Sequence, residues 1–326
     1  MSDDIAIGVD IGGTKIAFVA IDRAGEIVQS HRLPTLVPDG PDAVFAQVAT
    51  GVKWIIAAVN QPIVGIGIGT PGHLNPYTGL VYKATNMYWE NINALDGIRR
   101  HLGGAFPLWL QKDGNAAAFG EKLFGAAKGK TDFVLITIGT GLGGGAFVGD
   151  EILEGAQYSG MEIGHMPLDP NGRMCICGMK GCPEMYVSGV GLLAGARDYL
   201  PQYPQSLLNT VDEITTQSIL DAFAQGDELA RQVLSEMTDW LCSVMIACMG
   251  TLNPEIFVIG GGLGHALFDF LSTDVKRKLR ARTRREIHAE VPIFESQVRD
   301  SAIGAACLVW NGLDKNMKDM KHANTD

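Results

Sequence analysis

Ile5-Ala6-Ile7-Gly8-Val9-Asp10-Ile11-Gly12-Gly13-Thr14-Lys15-Ile16-Ala17-Phe18-Val19-Ala20-Ile21 reads as two strands joined by a glycine loop. Ile5 to Asp10 is an apolar, β-branched run, the mark of a buried strand. The loop residues Asp10-Ile11-Gly12-Gly13-Thr14-Lys15 end it, and a second such run begins at Ile16. A turn at Asp22 to Gly25 then leads into a third strand. The glycines therefore open onto a strand. In a Walker A loop or a dinucleotide fingerprint they open onto a helix, so both of those motifs fit poorly.

The same pattern recurs about 130 residues later. Phe133 to Ile138 reads as a strand, Gly139-Thr140-Gly141-Leu142-Gly143-Gly144-Gly145 as a loop, and Ala146 to Leu153 as a hairpin turning at Gly149-Asp150. Two such units predict a duplicated α/β domain. Each loop offers backbone N–H groups and a threonine hydroxyl, Thr14 or Thr140, which suit phosphate oxygens. A third cluster, Gly260-Gly261-Gly262, follows a strand at Ile256 to Ile259 and lets a flat adenine or ribose lie against backbone. Ahead of it, a helical pattern from about Asp227 to Leu252 stops at Asn253-Pro254.

Between the last two clusters lies Glu162-x-x-His165, then Cys175-Ile176-Cys177-Gly178-Met179-Lys180-Gly181-Cys182-Pro183-Glu184. Three thiolates and one imidazole suit tetrahedral zinc, and four protein ligands leave no open position for water. The expectation is a structural zinc on His165, Cys175, Cys177 and Cys182. A disulfide is the competing reading. It is disfavoured because the short acidic start, Met1-Ser2-Asp3-Asp4, does not resemble a secretory sequence. Glu162 and Glu184 flank the knot as rigid carboxylates suited to gripping hydroxyl groups.

Pro107 to Gln111 reads as a strand running into Lys112-Asp113-Gly114-Asn115 and a helix from Ala116 to about Phe124. Asp113 thus sits at a strand end near a helix N-terminus, where ligands bind in α/β domains. Phosphoryl transfer needs a carboxylate to orient the attacking hydroxyl and accept its proton, which makes Asp113 the catalytic candidate. Magnesium would neutralise the phosphates, with Asp10 helping to hold it.

Composition narrows the field. A chain of 326 residues with 46 % hydrophobic and 19 % charged residues is a folded globular protein. A net charge of −10 opposes a nucleic-acid surface. The basic cluster from Lys276 to Arg285 reads as the solvated face of a helix. No apolar run reaches 18 uncharged residues, so no membrane span is expected, and the expected compartment is the cytoplasm.

Together, Asp10-x-Gly12-Gly13-Thr14-Lys15, Asp113-x-Asn115, the Gly139 to Gly145 loop, Gly160-x-Glu162-x-Gly164-His165 and the cysteine knot resemble the ROK family of repressors and sugar kinases. The resemblance runs from Ile5 to about Gly312. It implies an actin-like, RNase H-like fold with two α/β domains and a sugar cleft between them. It implies Asp113 as base toward a hexose hydroxyl, usually that on carbon 6. Gly72, Asn86, Lys112, Glu162, His165 and Glu184 fall at sugar-binding positions. Asp10, Gly12, Gly13, Thr14, Lys15, Thr140, Gly141, Gly260, Gly261 and Gly262 fall at positions for ATP and its phosphates. A homodimer is common among relatives.

One departure stands out. Relatives commonly carry Asn before the catalytic Asp, and here the residue is Lys112. Lysine offers only donors, whereas an amide also accepts. The contact to a sugar hydroxyl, often that on carbon 3, should therefore differ. Glucose is the first expectation, followed by fructose, mannose, allose and N-acetylhexosamines; a sugar sensor without catalysis is the alternative. The family's repressors carry a DNA-binding module ahead of the first glycine loop. Here that loop begins at residue 10, so no nucleic-acid partner is expected. The expected domains are 1–120 with the helix at about 301–313, then 121–300, with 314–326 a mobile tail.

Overall fold

A computed structural model describes residues 4–104, 106–283 and 290–323. Met1 to Asp3 and the end of the basic cluster, Arg284 and Arg285, lie outside the described residues. The chain forms two compact units. The first comprises Met1–Gly129, Ile152–Gly160 and Gln297–Asp326; the second comprises Lys130–Glu151 and Met161–Ser296. The chain thus crosses between them four times. The boundary expected near Gly120 falls inside the helix Asp113–Phe124.

The strands of the first unit are β1 (Ile5–Ile11), β2 (Lys15–Ile21), β3 (Ile27–Pro34), β4 (Ile63–Thr70), β5 (His73–Leu74), β6 (Leu80–Ala84), β7 (Trp89–Asn93) and β8 (Leu108–Lys112). Five of them make a sheet in the order β3-β2-β1-β4-β8, and β5-β6-β7 make a smaller one. The hairpin strands pair antiparallel, while β1, β4 and β8 run parallel. Alternation along β1 divides the core. Ile5, Ile7, Val9 and Ile11 pack with Val44, Phe45, Val48, Val52 and Ile55 of the helix Pro41–Ala58. On the opposite face, Ala6 packs with Ala302, Ala306 and Val309 of the helix Ser301–Ala323. That helix lies so close that a Cβ on Gly8 would come within 1.9 Å of the Ala302 carbonyl oxygen. It also runs past its expected end near residue 313. Leu313 to Ala323 contains neither glycine nor proline, so nothing local stops it.

The second unit repeats the plan. Its sheet is built from β9 (Phe133–Ile138), β10 (Leu142–Val148), β11 (Glu151–Ile152, at the crossing into the first unit), β12 (Ile256–Gly260) and β13 (Ile293–Glu295), in the order β11-β10-β9-β12-β13. β9 and β10 pair antiparallel, and β9, β12 and β13 run parallel. The duplication expected from the two glycine hairpins is thus a duplication of sheet topology. The expected loop Gly139 to Gly145 is shorter than it reads, because Gly143, Gly144 and Gly145 are strand residues paired with Thr137, Ile136 and Leu135. Packing is the reason. A Cβ on Gly144 would come within 2.7 Å of the Ile163 side chain.

The helix Glu228–Thr251 begins at Asp227, whose side chain accepts from the Ala230 N–H. It is long and apolar enough to cross a membrane, yet it buries Leu229, Val233, Met237, Leu241 and Met245 in the core of its unit. Beside it, Phe268–Arg282 carries the basic cluster. The reading of that cluster as a solvated face is corrected at Lys278. Lys278 is 7 % exposed and donates to the Ser235 carbonyl at 2.7 Å, with Asp239 and Asp274 at 3.0 and 3.2 Å. The partners come mostly from the neighbouring helix, so no pattern local to the basic stretch reveals them.

Candidate active site

In the first unit the candidate residues gather at the C-terminal edge of the parallel strands. Asp10 pairs with Gly69, and Gly69 pairs with Gln111, one residue before Lys112 and two before Asp113. Two strand spacings separate Asp10 from Gln111, about 10 Å. Asp113 is the first residue of its helix, and its Oδ1 accepts from the Gly114 N–H at 2.7 Å. Its side of the helix start is exposed, as a base toward an incoming hydroxyl requires. The Ser301 hydroxyl donates to Asp10. Burial pushes the Asp10 carboxyl above its ordinary value, against that hydrogen bond.

The turn at Gly12, Gly13 and Thr14 is closed by the Gly12 N–H on the Lys15 carbonyl at 2.9 Å and by the Thr35 hydroxyl on the Gly12 carbonyl at 2.7 Å. Gly13, Thr14 and Lys15 are exposed. Asn86, in the 3-10 turn Thr85–Met87, lies against this turn: a Cβ on Gly13 would sit 3.5 Å from its carbonyl oxygen. Gly72 has φ 105°, and a Cβ there would meet the Lys83 carbonyl at 2.5 Å. The structure therefore brings Asp10, the first glycine turn and Asn86 onto one unit with Gly72, Lys112 and Asp113.

In the second unit Thr140 and Gly141 form the turn between β9 and β10. Glu184 reaches this turn, its Oε2 accepting from the Leu142 N–H at 3.1 Å. A Cβ on Gly141 would come within 2.6 Å of that oxygen. The Gly189 N–H, at the start of the helix Gly189–Tyr199, donates to the Gly139 carbonyl at 2.8 Å. Gly260 ends β12 opposite Thr137, so Gly260, Gly261 and Gly262 leave the sheet beside the Thr140 turn, about one strand spacing away. They form a tight strand-to-helix turn. Gly261 has φ 84°, and a Cβ there would lie 2.4 Å from the Ile138 carbonyl. Glu162 is exposed and starts the 3-10 turn Ile163–His165, its carbonyl accepting from the His165 N–H at 3.0 Å.

The four expected metal ligands come together. One donor atom from each of His165, Cys175, Cys177 and Cys182 lies within 4.8 Å of all the others. His165 Nδ1 is 3.6 Å from Cys175 Sγ, and Cys177 Sγ is 3.5 Å from Cys182 Sγ. A tetrahedron with Zn–S bonds of about 2.3 Å has edges of roughly 3.8 Å, so this donor set fits zinc. Burial, and then the Cys177 thiol beside it, push Cys182 up to about 12. A bound cation would relieve that crowding. Nδ1 toward the thiols leaves Nε2 on the other side of the His165 ring.

Several supporting residues had no local signal in the sequence. Arg173 donates to Asp198 and Glu236 at 2.8 Å and to the Met185 carbonyl at 3.1 Å, and its guanidinium lies 4.4 Å from the centre of the Tyr186 ring. It ties the knot to the turn Pro183–Met185 that carries Glu184. Lys112 is 6 % exposed, and its ammonium donates to the Gly160 carbonyl at 2.6 Å. Its neighbour Gln111 donates to Glu154 Oε1 at 2.6 Å. These partners lie about 40 to 50 residues away in sequence.

The ROK family model matches residues 6–311. A glucokinase of Streptomyces coelicolor is 34 % identical over 314 residues, covering 93 % of this chain and 97 % of that one. A glucokinase of Thermotoga maritima is 32 % identical over 265 residues, covering 80 % and 82 %. Among solved structures, a ROK family glucokinase from Streptomyces griseus in complex with glucose and AMPPNP superposes with a TM-score of 0.79 at 30 % identity, covering 93 % of this chain and 98 % of that one. The shared fold is the actin-like one with two α/β halves, and this chain belongs to the ROK family.

Proposed function

We propose that this chain is an ATP-dependent hexose kinase, with glucose as its first substrate and the carbon-6 hydroxyl as acceptor. The observation that carries this reading is Asp113 at a parallel-strand end with Asp10 two strands away and a glycine turn beside them. Similarity to glucokinases over most of the chain supports it. The sugar oxygen attacks the γ-phosphorus of ATP as Asp113 takes the hydroxyl proton. The bond to the β–γ bridging oxygen breaks, and ADP leaves. Little covalent work falls to the protein, so positioning and electrostatics supply most of the rate.

The glycine turns offer N–H groups to the phosphates, joined by Thr14, Lys15 and Thr140. Asp10 would help to hold the magnesium ion that neutralises the phosphates, and Gly260 to Gly262 would approach the nucleoside. Gly72, Asn86, Glu162, His165 and Glu184 take the sugar hydroxyls. His165, Cys175, Cys177 and Cys182 would hold a structural zinc, which would fix the imidazole and leave its other nitrogen to face the sugar. We place the enzyme in the cytoplasm, a reducing compartment in which the cysteine ligands stay available to zinc. A coupled ADP-release assay across glucose, fructose, mannose, allose and N-acetylhexosamines tests the reading. Turnover, highest for glucose, is expected. Sugar binding by calorimetry with no turnover on any of them would make the chain a sensor instead.

A further inference from the structure

The segment Ile152–Gly160 belongs to the first unit, although the chain on both sides of it belongs to the second. It closes on itself, with the Gly160 N–H on the Glu154 carbonyl at 2.8 Å. A Cβ on Gly160 would come within 2.4 Å of the Leu153 carbonyl, so the closure is tight. The two residues that close this loop are the two gripped by β8. Gln111 Nε2 holds the Glu154 carboxylate and Lys112 Nζ holds the Gly160 carbonyl, each at 2.6 Å. The Tyr77 hydroxyl donates to the other Glu154 oxygen at 2.9 Å. His73 bonds the loop's far side through the Gln157 carbonyl and the Ser159 hydroxyl, at 2.8 and 2.7 Å.

We propose that Lys112 is a positioning residue which, with Gln111, clamps the base of this loop to the strand end that carries Asp113. The lysine beside the base then reads a backbone carbonyl where an amide would read a sugar hydroxyl. Gly160 is the last residue before the chain returns to the second unit, and Glu162 follows two residues later. Fixing Gly160 to the Asp113 strand fixes the point at which the chain leaves the first unit on its way to Glu162. A buried charged donor on a backbone carbonyl is among the stronger hydrogen bonds, so that point is held firmly. Loosening it lowers the fraction of molecules ready to bind sugar, and apparent affinity falls by that fraction.

Lys112→Met keeps the length of the stem and removes the donor. Amide hydrogen exchange across Leu153 to Gly160 should speed up by about tenfold. The KM for glucose and that for allose, which differs only at carbon 3, should rise together by about the same factor. Unequal KM changes for the two epimers with exchange unaltered would overturn the proposal, because Lys112 would then read the sugar itself. Exchange and KM both unchanged would overturn it too. Tyr77→Phe, at an exposed residue, provides a second variant. It should speed exchange in the same segment by a smaller factor, and no change there would contradict the clamp. The kinetic arm rests on the hexose-kinase reading; the exchange arm does not, so the two can fail separately.

Discussion

Each of the two five-stranded sheets carries a glycine turn of similar sequence, and the two turns are held by different means. Gly12 to Thr14 is closed by the Lys15 carbonyl at the start of β2 and by the hydroxyl of Thr35, which follows the end of β3. Gly139 to Gly141 also has a local bond, from the Gly139 N–H to the Gly141 carbonyl. Its outer support, however, comes from Glu184 and the helix start at Gly189. Glu184 stands two residues after Cys182, in a turn tied to Arg173. One turn is therefore held by the run β1 to β3 and the residue that follows it, and the other depends on the cysteine knot. Duplication of topology does not carry duplication of support.

Removal of the metal should separate the two most sharply. A chelator, or Cys177→Ser, should lower Tm by roughly 5–10 °C and speed amide exchange around Gly139 to Leu142, while Gly12 to Lys15 keeps its protection. Equal loss at both turns would break the comparison, and no loss at either would remove the zinc reading. Next in size, Gly141→Ala should displace Glu184, raising the sugar KM by about tenfold. Gly13→Ala has room for its methyl group and should cost far less stability, its effect falling on the KM for ATP. Thermal melts and separate KM values for sugar and ATP distinguish these cases.

Asp10→Asn tests the first turn's neighbour. Burial lifts this carboxyl above 3.8 in the folded state. Ionising it therefore costs folding free energy. The cost is absent below 3.8, grows as pH rises toward the raised value and is complete above it. The variant should match the parent in acid, melt ~2–4 °C higher near neutral pH and lose activity with magnesium ATP. The smallest effect lies at Glu255, which Lys130 and the Thr131 N–H hold at about 2. Its stabilisation is present above 4.5 and is lost as pH falls toward 2. Glu255→Gln should cost less than about 1 kcal/mol near neutral pH, since the pair is exposed, and its melts should converge with the parent in acid.

Features fixed by neighbours in sequence were legible. β-branched runs around glycines mark β1, β2 and β9, and ligand spacing marks the knot. Gly143 to Gly145 read as loop because glycine locally favours turns, yet Ile163 packing on Gly144 makes its lack of a side chain a requirement of the sheet. Lys278 read as solvated because its partners Ser235 and Asp239 lie on another helix. Ser301 at Asp10 is separated from it by 291 residues and carries no motif. Asp113 was legible as a candidate because a strand end meeting a helix start is visible in sequence. What Lys112 does was not, since Gly160 lies 48 residues away.

The central claim is that Asp113 takes the proton of a hexose hydroxyl, and Asp113→Asn tests it most directly. Steady-state ADP release with glucose, ATP and magnesium should show kcat lower by about 10²–10⁴-fold, with the KM for glucose changed far less. A variant that retains most of the parent's kcat would contradict the account and move the base elsewhere.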